Sequence, residues 1–241
     1  MAVSAAGEIA GPASSEKPGR RRVRMAPDER ERMILDAAIH FFAKHGFSAQ
    51  LRVLAREMKV SQGLIYRYFK SKQALLDRVY EHNFLRRWDS SWEKLLADRS
   101  LPLRQRLGEF YTRYLAAIDD PEWIRLVMYS GLDDNDLTRR YIRTHVEALL
   151  RLIARECRVL EGRKASGEPT QAEVELVWHL HSTVIYYLVR KHIFRTATTK
   201  DTGALVAMMI DDFLSGLPAE APAPAAIGRI ALPRKRKRPC P

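Results

Sequence analysis

Between residues 26 and 216 apolar side chains recur every three or four positions, and no stretch between turn signals alternates them one by one. A period near 3.6 builds helices, whereas a half-buried strand needs a period of two, so the fold class expected is all-α. The first helix follows "APDER". Pro27 suits a first helical position, and Asp28 and Glu29 favour the positive end of the dipole. Ile34, Ala37, Ala38, Phe41 and Phe42 share one face, and Gly46 is the expected stop. A short helix over about 51–58 turns Leu54, Ala55 and Met58 inward and Arg52 and Arg56 outward. After the tight connection "KVSQG", Ser61 caps a third helix to about 68, packed through Val60, Ile65 and Phe69. Ser71 caps a fourth helix predicted to run to about 97.

Five more helices are predicted near 101–118, 121–131, 135–161, 170–195 and 201–215. Pro102 and Pro121 sit near helix starts, Asn135 and Thr170 read as caps, and Gly216 with Pro218 ends the last. This divides the chain into a small helical unit at 26–72 and a larger one at 73–216, joined through the fourth helix without a flexible linker. Residues 1–25 and 217–241 are rich in Ala, Gly, Ser, Pro and basic residues and are expected to be disordered arms.

Charge narrows the partners. A net charge of +12 and a basic pI point to an acidic partner, nucleic acid first and anionic membrane second. Much of the excess lies in the arms, where "RKRKR" (Arg234 to Arg238) reads either as a solvated tail or as a DNA-contacting one. "PRKRKRP" also resembles a nuclear import signal. Two cysteines, Cys157 and Cys240, make neither a disulfide framework nor a metal site and fit a reducing compartment. The longest apolar run, 176–189, is short for a bilayer span and carries two histidines, so no membrane partner is expected. The N-terminal segment lacks the basic, apolar, small order of a signal peptide, and a cytoplasmic location is expected.

Two short helices joined by a tight turn, basic on the outside, form a helix-turn-helix pattern. A major groove admits one helix, read through its N-terminal residues. Residues 61–67 offer Gln62, an amide that can pair with adenine, and Gly63, which permits close backbone approach. Tyr66 can bond a base edge or lie against a thymine methyl, and Arg67 can reach guanine or phosphate.

With those residues in view, the run "RERMILDAAIHFFAKHGFSAQLRVLAREMKVSQGLIYRYFKSKQALL" (30–76) resembles the DNA-binding domain of the TetR family of bacterial transcriptional regulators. The resemblance implies base contacts from Arg52, Gln62 and Tyr66, and backbone contacts from Gly63, Leu64, Tyr68 and Lys72. With the capping Ser61 and with Arg67, these form the expected DNA-facing set. Leu51 and Leu64 depart from the family pattern, because each stands where a hydroxyl residue is usual.

The larger half is aromatic-rich, which suits a pocket for a small organic ligand between helices. The family resemblance places an effector there, with Trp92, Phe110, Tyr114, Met128, Tyr141, His145 and Trp178 as the candidate lining. It also implies a homodimer through the last two helices, which are apolar around more than one face, and a palindromic operator. The function expected is a ligand-responsive regulator, a repressor, associated with the bacterial nucleoid and released when an effector resets the fourth helix. The alternative is an all-helical enzyme or binding protein for a hydrophobic small molecule. No His/Cys/Asp constellation or phosphate-cradling glycine loop supports an enzyme, and no cofactor is expected. His179 and His181 are two apart on a helix and face different sides, so no metal is expected.

Overall fold

The computed structural model describes residues 25–133, 136–160, 162, 164 and 166–217, and every regular element among them is helical. The expected disorder of the two arms, the expected capping role of Asn135 and the basic run at 234–238 lie outside the described residues.

α1 (Pro27–His45) starts where Pro27 predicts and buries Ile34, Leu35, Ala38, Phe41 and Phe42. Gly46 ends it with φ of +80°, and a Cβ at that position would lie 2.7 Å from Asp133 Oδ2. The glycine therefore meets both a left-handed backbone and a close approach. α2 (Leu51–Glu57) follows, with Leu51 buried at its first position and no side-chain cap on Gln50. The hydroxyl missing at Leu51 is thus replaced by an apolar anchor into the core. Lys59, at φ of +56°, turns the chain into α3 (Gln62–Tyr68). Ser61 Oγ accepts from Leu64 N–H at 3.2 Å, and Ser71 Oγ accepts from Ala74 N–H at 3.0 Å at the start of α4 (Lys72–Asn83).

The fourth helix is shorter than its periodicity predicts. It stops at Asn83, passes through a 3₁₀ turn (Leu85–Arg87) and an extended Trp88, and restarts as α5 (Ser91–Ala97). Arg87 holds the break by donating to Ala117 O at 2.9 Å and pairing with Asp120 at 2.5 Å. Asp89 then accepts from Ser91 N–H at 2.8 Å. "WDSSWE" carried this stop-and-restart signal, since Asp and Ser bond the backbone at helix starts.

Beyond the break come α6 (Leu103–Ile118) and α7 (Pro121–Leu132), the latter capped by Asp120. α8 (Leu137–Tyr141) runs through a π-helical segment (Ile142–Val146) into α9 (Glu147–Leu160). α10 (Gln171–Leu188), capped by Thr170, also ends in a π segment (Val189–Phe194), and α11 (Thr202–Ser215) closes the described chain. One hydrophobic cluster runs from Ile34 in α1 through Phe84 and Trp123 to Ile210 in α11. Two buried carboxylates, each paired with arginine, brace it. Glu156 meets Arg106 and Arg99, each at 2.8 Å, and Arg158 meets Glu173 at 2.6 Å. Among the described residues no helix is long and apolar enough to cross a membrane.

Candidate nucleic-acid interface and ligand cavity

α3 divides its faces by burial. Ile65 is fully buried and Phe69 nearly so, while Ser61, Gln62, Gly63, Arg67 and, on α2, Arg52 are exposed. Tyr66 is 43% exposed, unusual for a large ring without an intramolecular role. Leu64 and Tyr68 are half-buried against the core, so both serve packing as well as any contact made outside. Lys72, at the start of α4, leans partly inward. It is half-buried, with Nζ 6.0 Å from the Phe42 ring centroid. Burial lowers its pKa, and the nearby Asp133 carboxylate opposes that shift.

α7 fastens this unit to the larger half. Arg125 Nε donates to Ala43 O at 2.5 Å, Tyr129 hydroxyl donates to Lys44 O at 3.3 Å, and His40 meets Glu122 at 2.7 Å. Asp133, at the end of α7, accepts from Phe47 N–H at 2.5 Å and Ser48 N–H at 3.0 Å. It thereby fixes the turn that leads into α2. Arg140 secures α4 in turn, its guanidinium 4.0 Å over the Tyr80 ring. Asp133→Ala leaves two turn amides without their acceptor. A loss of about 1–3 kcal/mol is expected, read from the denaturant midpoint at unchanged m-value.

The other side of α7 faces a cavity of about 590 Å³ that it lines together with α6, α8, its π segment and α10. Tyr114, Met128, Tyr141 and Trp178 line it. Trp92, Phe110 and His145 do not. Trp92 packs edge-on against Phe110 and Tyr114 in the core, and His145 is half-buried with its ring 5.0 Å from that of Trp88. The lining that periodicity alone did not single out includes Trp123, Ile142, His181, Ser182 and Tyr186. On α10 the signal was present, because Trp178, His181, Ser182, Ile185 and Val189 follow helical i+3, i+4, i+7 and i+11 spacing. Both π segments contribute to the wall, through Ile142 and Val146 and through Val189, where the widened helix turn makes room.

The polar groups on this wall are few. Tyr114 and Tyr141 hydroxyls bond one another, and burial pushes both pKa values up. His181 is 4% exposed, its Nδ1 has no partner, and burial lowers its pKa to about 4. Trp123 Nε1 is likewise buried and unpartnered. Among the described residues no group of three or more His, Cys, Asp or Glu is placed to hold a metal ion.

The sequence model described as "Bacterial regulatory proteins, tetR family" matches residues 34–79, which covers most of α1 through most of α4. An uncharacterised HTH-type transcriptional regulator of Bacillus subtilis, YuxN, is 38% identical over 63 residues, which are 24% of this chain. The match spans only 22% of that protein's length. Similar solved folds include a TetR-like transcriptional regulator from Rhodococcus, with a TM-score of 0.61 at 17% identity over 80% of this chain and 100% of that one. The fatty acid degradation regulator FadR from Bacillus halodurans gives 0.55 at 18% identity over 80% of this chain and 98% of that one. At such identities the likeness concerns the fold.

Proposed function

This chain belongs to the TetR family of bacterial regulatory proteins, and from that premise we propose that it is a DNA-binding transcriptional repressor. In this reading a homodimer grips a palindromic operator through residues 26–72, while residues 73–216 hold the effector site and the dimer surface. The observation that carries it is the Ser61-capped α3, anchored by buried Ile65 and presenting Gln62, Gly63, Tyr66 and Arg67 outward. An exposed helix start of this composition suits a major groove, with amide, phenol and guanidinium for base edges and phosphates.

Self-association is supported by apolar groups left exposed on α10, its π segment and α11. Tyr186 is 57% exposed, Phe194 58% and Met208 55%. Patches of this kind in helical bundles mark protein contacts, and a two-fold pair would set two α3 helices at successive grooves.

Regulation is best carried by α7 rather than by an unbroken fourth helix. One side of α7 supplies Trp123, Val127 and Met128 to the cavity, and the other holds the α1 end and the turn before α2. A ligand that prefers one position of α7 therefore biases the placement of α3. Selection from a pool of random duplexes tests the reading. Recovery of a two-fold-symmetric site is expected; recovery of no preferred sequence contradicts it.

A further inference from the structure

Among the described residues the lining of the cavity contains no Asp, Glu, Lys or Arg, and its accessible wall is overwhelmingly hydrocarbon and aromatic. Arg139, Arg143 and Glu147 border a separate neighbouring pocket that shares only Gly131, Thr138 and Ile142 with the cavity. An ion placed among Trp123, Val127, Trp178 and Ile185 would lose its hydration and meet no counter-charge, a cost that a neutral molecule avoids. Two side chains of the lining carry buried polar atoms without a hydrogen-bond partner: the Trp123 Nε1–H donor and His181 Nδ1. Both side chains are more than nine-tenths buried, and buried polar atoms are ordinarily satisfied. Trp92 Nε1 and the Tyr111 hydroxyl are also unpartnered, but neither belongs to this wall.

Resting on the reading of this cavity as the effector site, we propose that it selects an uncharged, mainly apolar molecule bearing one hydroxyl, ether or carbonyl oxygen, which Trp123 and His181 recognise. The Trp123 N–H can only donate, so the ligand atom it meets must accept. His181 Nδ1 donates or accepts according to tautomer, and a hydroxyl answers either form. A volume of about 590 Å³ is ample for a fused-ring or medium-chain skeleton.

Matched probes on two skeletons separate charge from shape: naphthalene, 2-naphthol, 2-naphthoate and 2-naphthylmethylammonium, alongside 1-decanol, decanoate and decylammonium. Binding to the full chain is measured by calorimetry, and each probe is added to the protein bound to its selected duplex. The neutral oxygen-bearing probes should bind at least about 30-fold more tightly than either ion on the same skeleton. 2-Naphthol should exceed naphthalene by about tenfold. His181→Leu should remove that tenfold preference while leaving naphthalene affinity in place, and Trp123→Phe provides the same test should the first variant fail to fold. Equal or tighter binding of a carboxylate or ammonium, accompanied by release of DNA, overturns the charge inference and leaves the effector reading standing. Binding by none of the probes at millimolar concentration overturns both, because an apolar cavity of this size accepts apolar molecules.

Discussion

Glu156→Ala is expected to destabilise the fold by about 3–5 kcal/mol, the largest stability loss of any single substitution considered. Glu156 is 3% exposed and bonds two guanidiniums: Arg99 through Nε and Nη2, and the buried Arg106 through Nη1. Arg106 also donates to the carbonyls of Leu101 and Leu96, which ties the α5–α6 connection to α9. Removing the carboxylate strands Arg106 as a buried charge without its counter-ion. Domains of this class have only about 5–15 kcal/mol of stability in total, so the variant should melt far below the parent. Replacing the pair together, Arg106→Met with Glu156→Leu, should recover most of the loss, because a packed apolar pair avoids desolvation. Thermal and denaturant unfolding of the three proteins decides this.

The same cluster gives a pH dependence. Burial pushes the Glu156 carboxyl up, but hydrogen bonds and charge from Arg99 and Arg106 outweigh it and hold the pKa below the ordinary 4.5. A carboxyl depressed in the folded state stabilises the fold above its unfolded pKa, and that contribution is lost as pH falls through the folded value. The denaturant midpoint should therefore drop below about pH 4.5, and Glu156→Gln should drop less steeply over that interval.

The second large effect is expected on DNA. Tyr66→Ala should lower affinity for the selected duplex by about 10–100-fold, in keeping with the loss of one good base contact. The ring is 43% exposed and stands outside the core, so the fold should be unaffected and the melting temperature unchanged. Because a phenol carries no charge, the slope of log affinity against log salt should also stay the same. Arg67→Ala should behave differently, weakening all duplexes together and reducing that slope by about one if the guanidinium meets phosphate. Fluorescence anisotropy across a salt series separates the two.

The small helical unit was legible in the sequence because local rules decide it. Pro27, Gly46, Ser61 and Ser71 sit where helix starts and stops demand them, and Ile65 and Phe69 fall on the packing side by spacing alone. The larger half was legible as helices but not as a site. Whether an aromatic at helical spacing lines a cavity or fills core depends on the helix opposite. Trp92 and Phe110 went into core, while Trp123 and His181 turned to the cavity. The break at Asn83 depends on Arg87 reaching Asp120, a contact 33 positions away that no periodicity encodes. The partly inward lean of Lys72 has a similar origin, since it comes from Phe42 and from Asp133 at the end of α7.

The central claim is that α3 reads bases through its N-terminal residues, and Gln62 tests it most directly. Affinities of the parent and of Gln62→Ala should be measured against the selected duplex and a panel with each base pair of one half-site changed in turn. The account predicts that the variant loses about 1–3 kcal/mol of discrimination at one position per half-site and keeps its preferences elsewhere. A uniform loss across the whole panel, or no change at all, would contradict it.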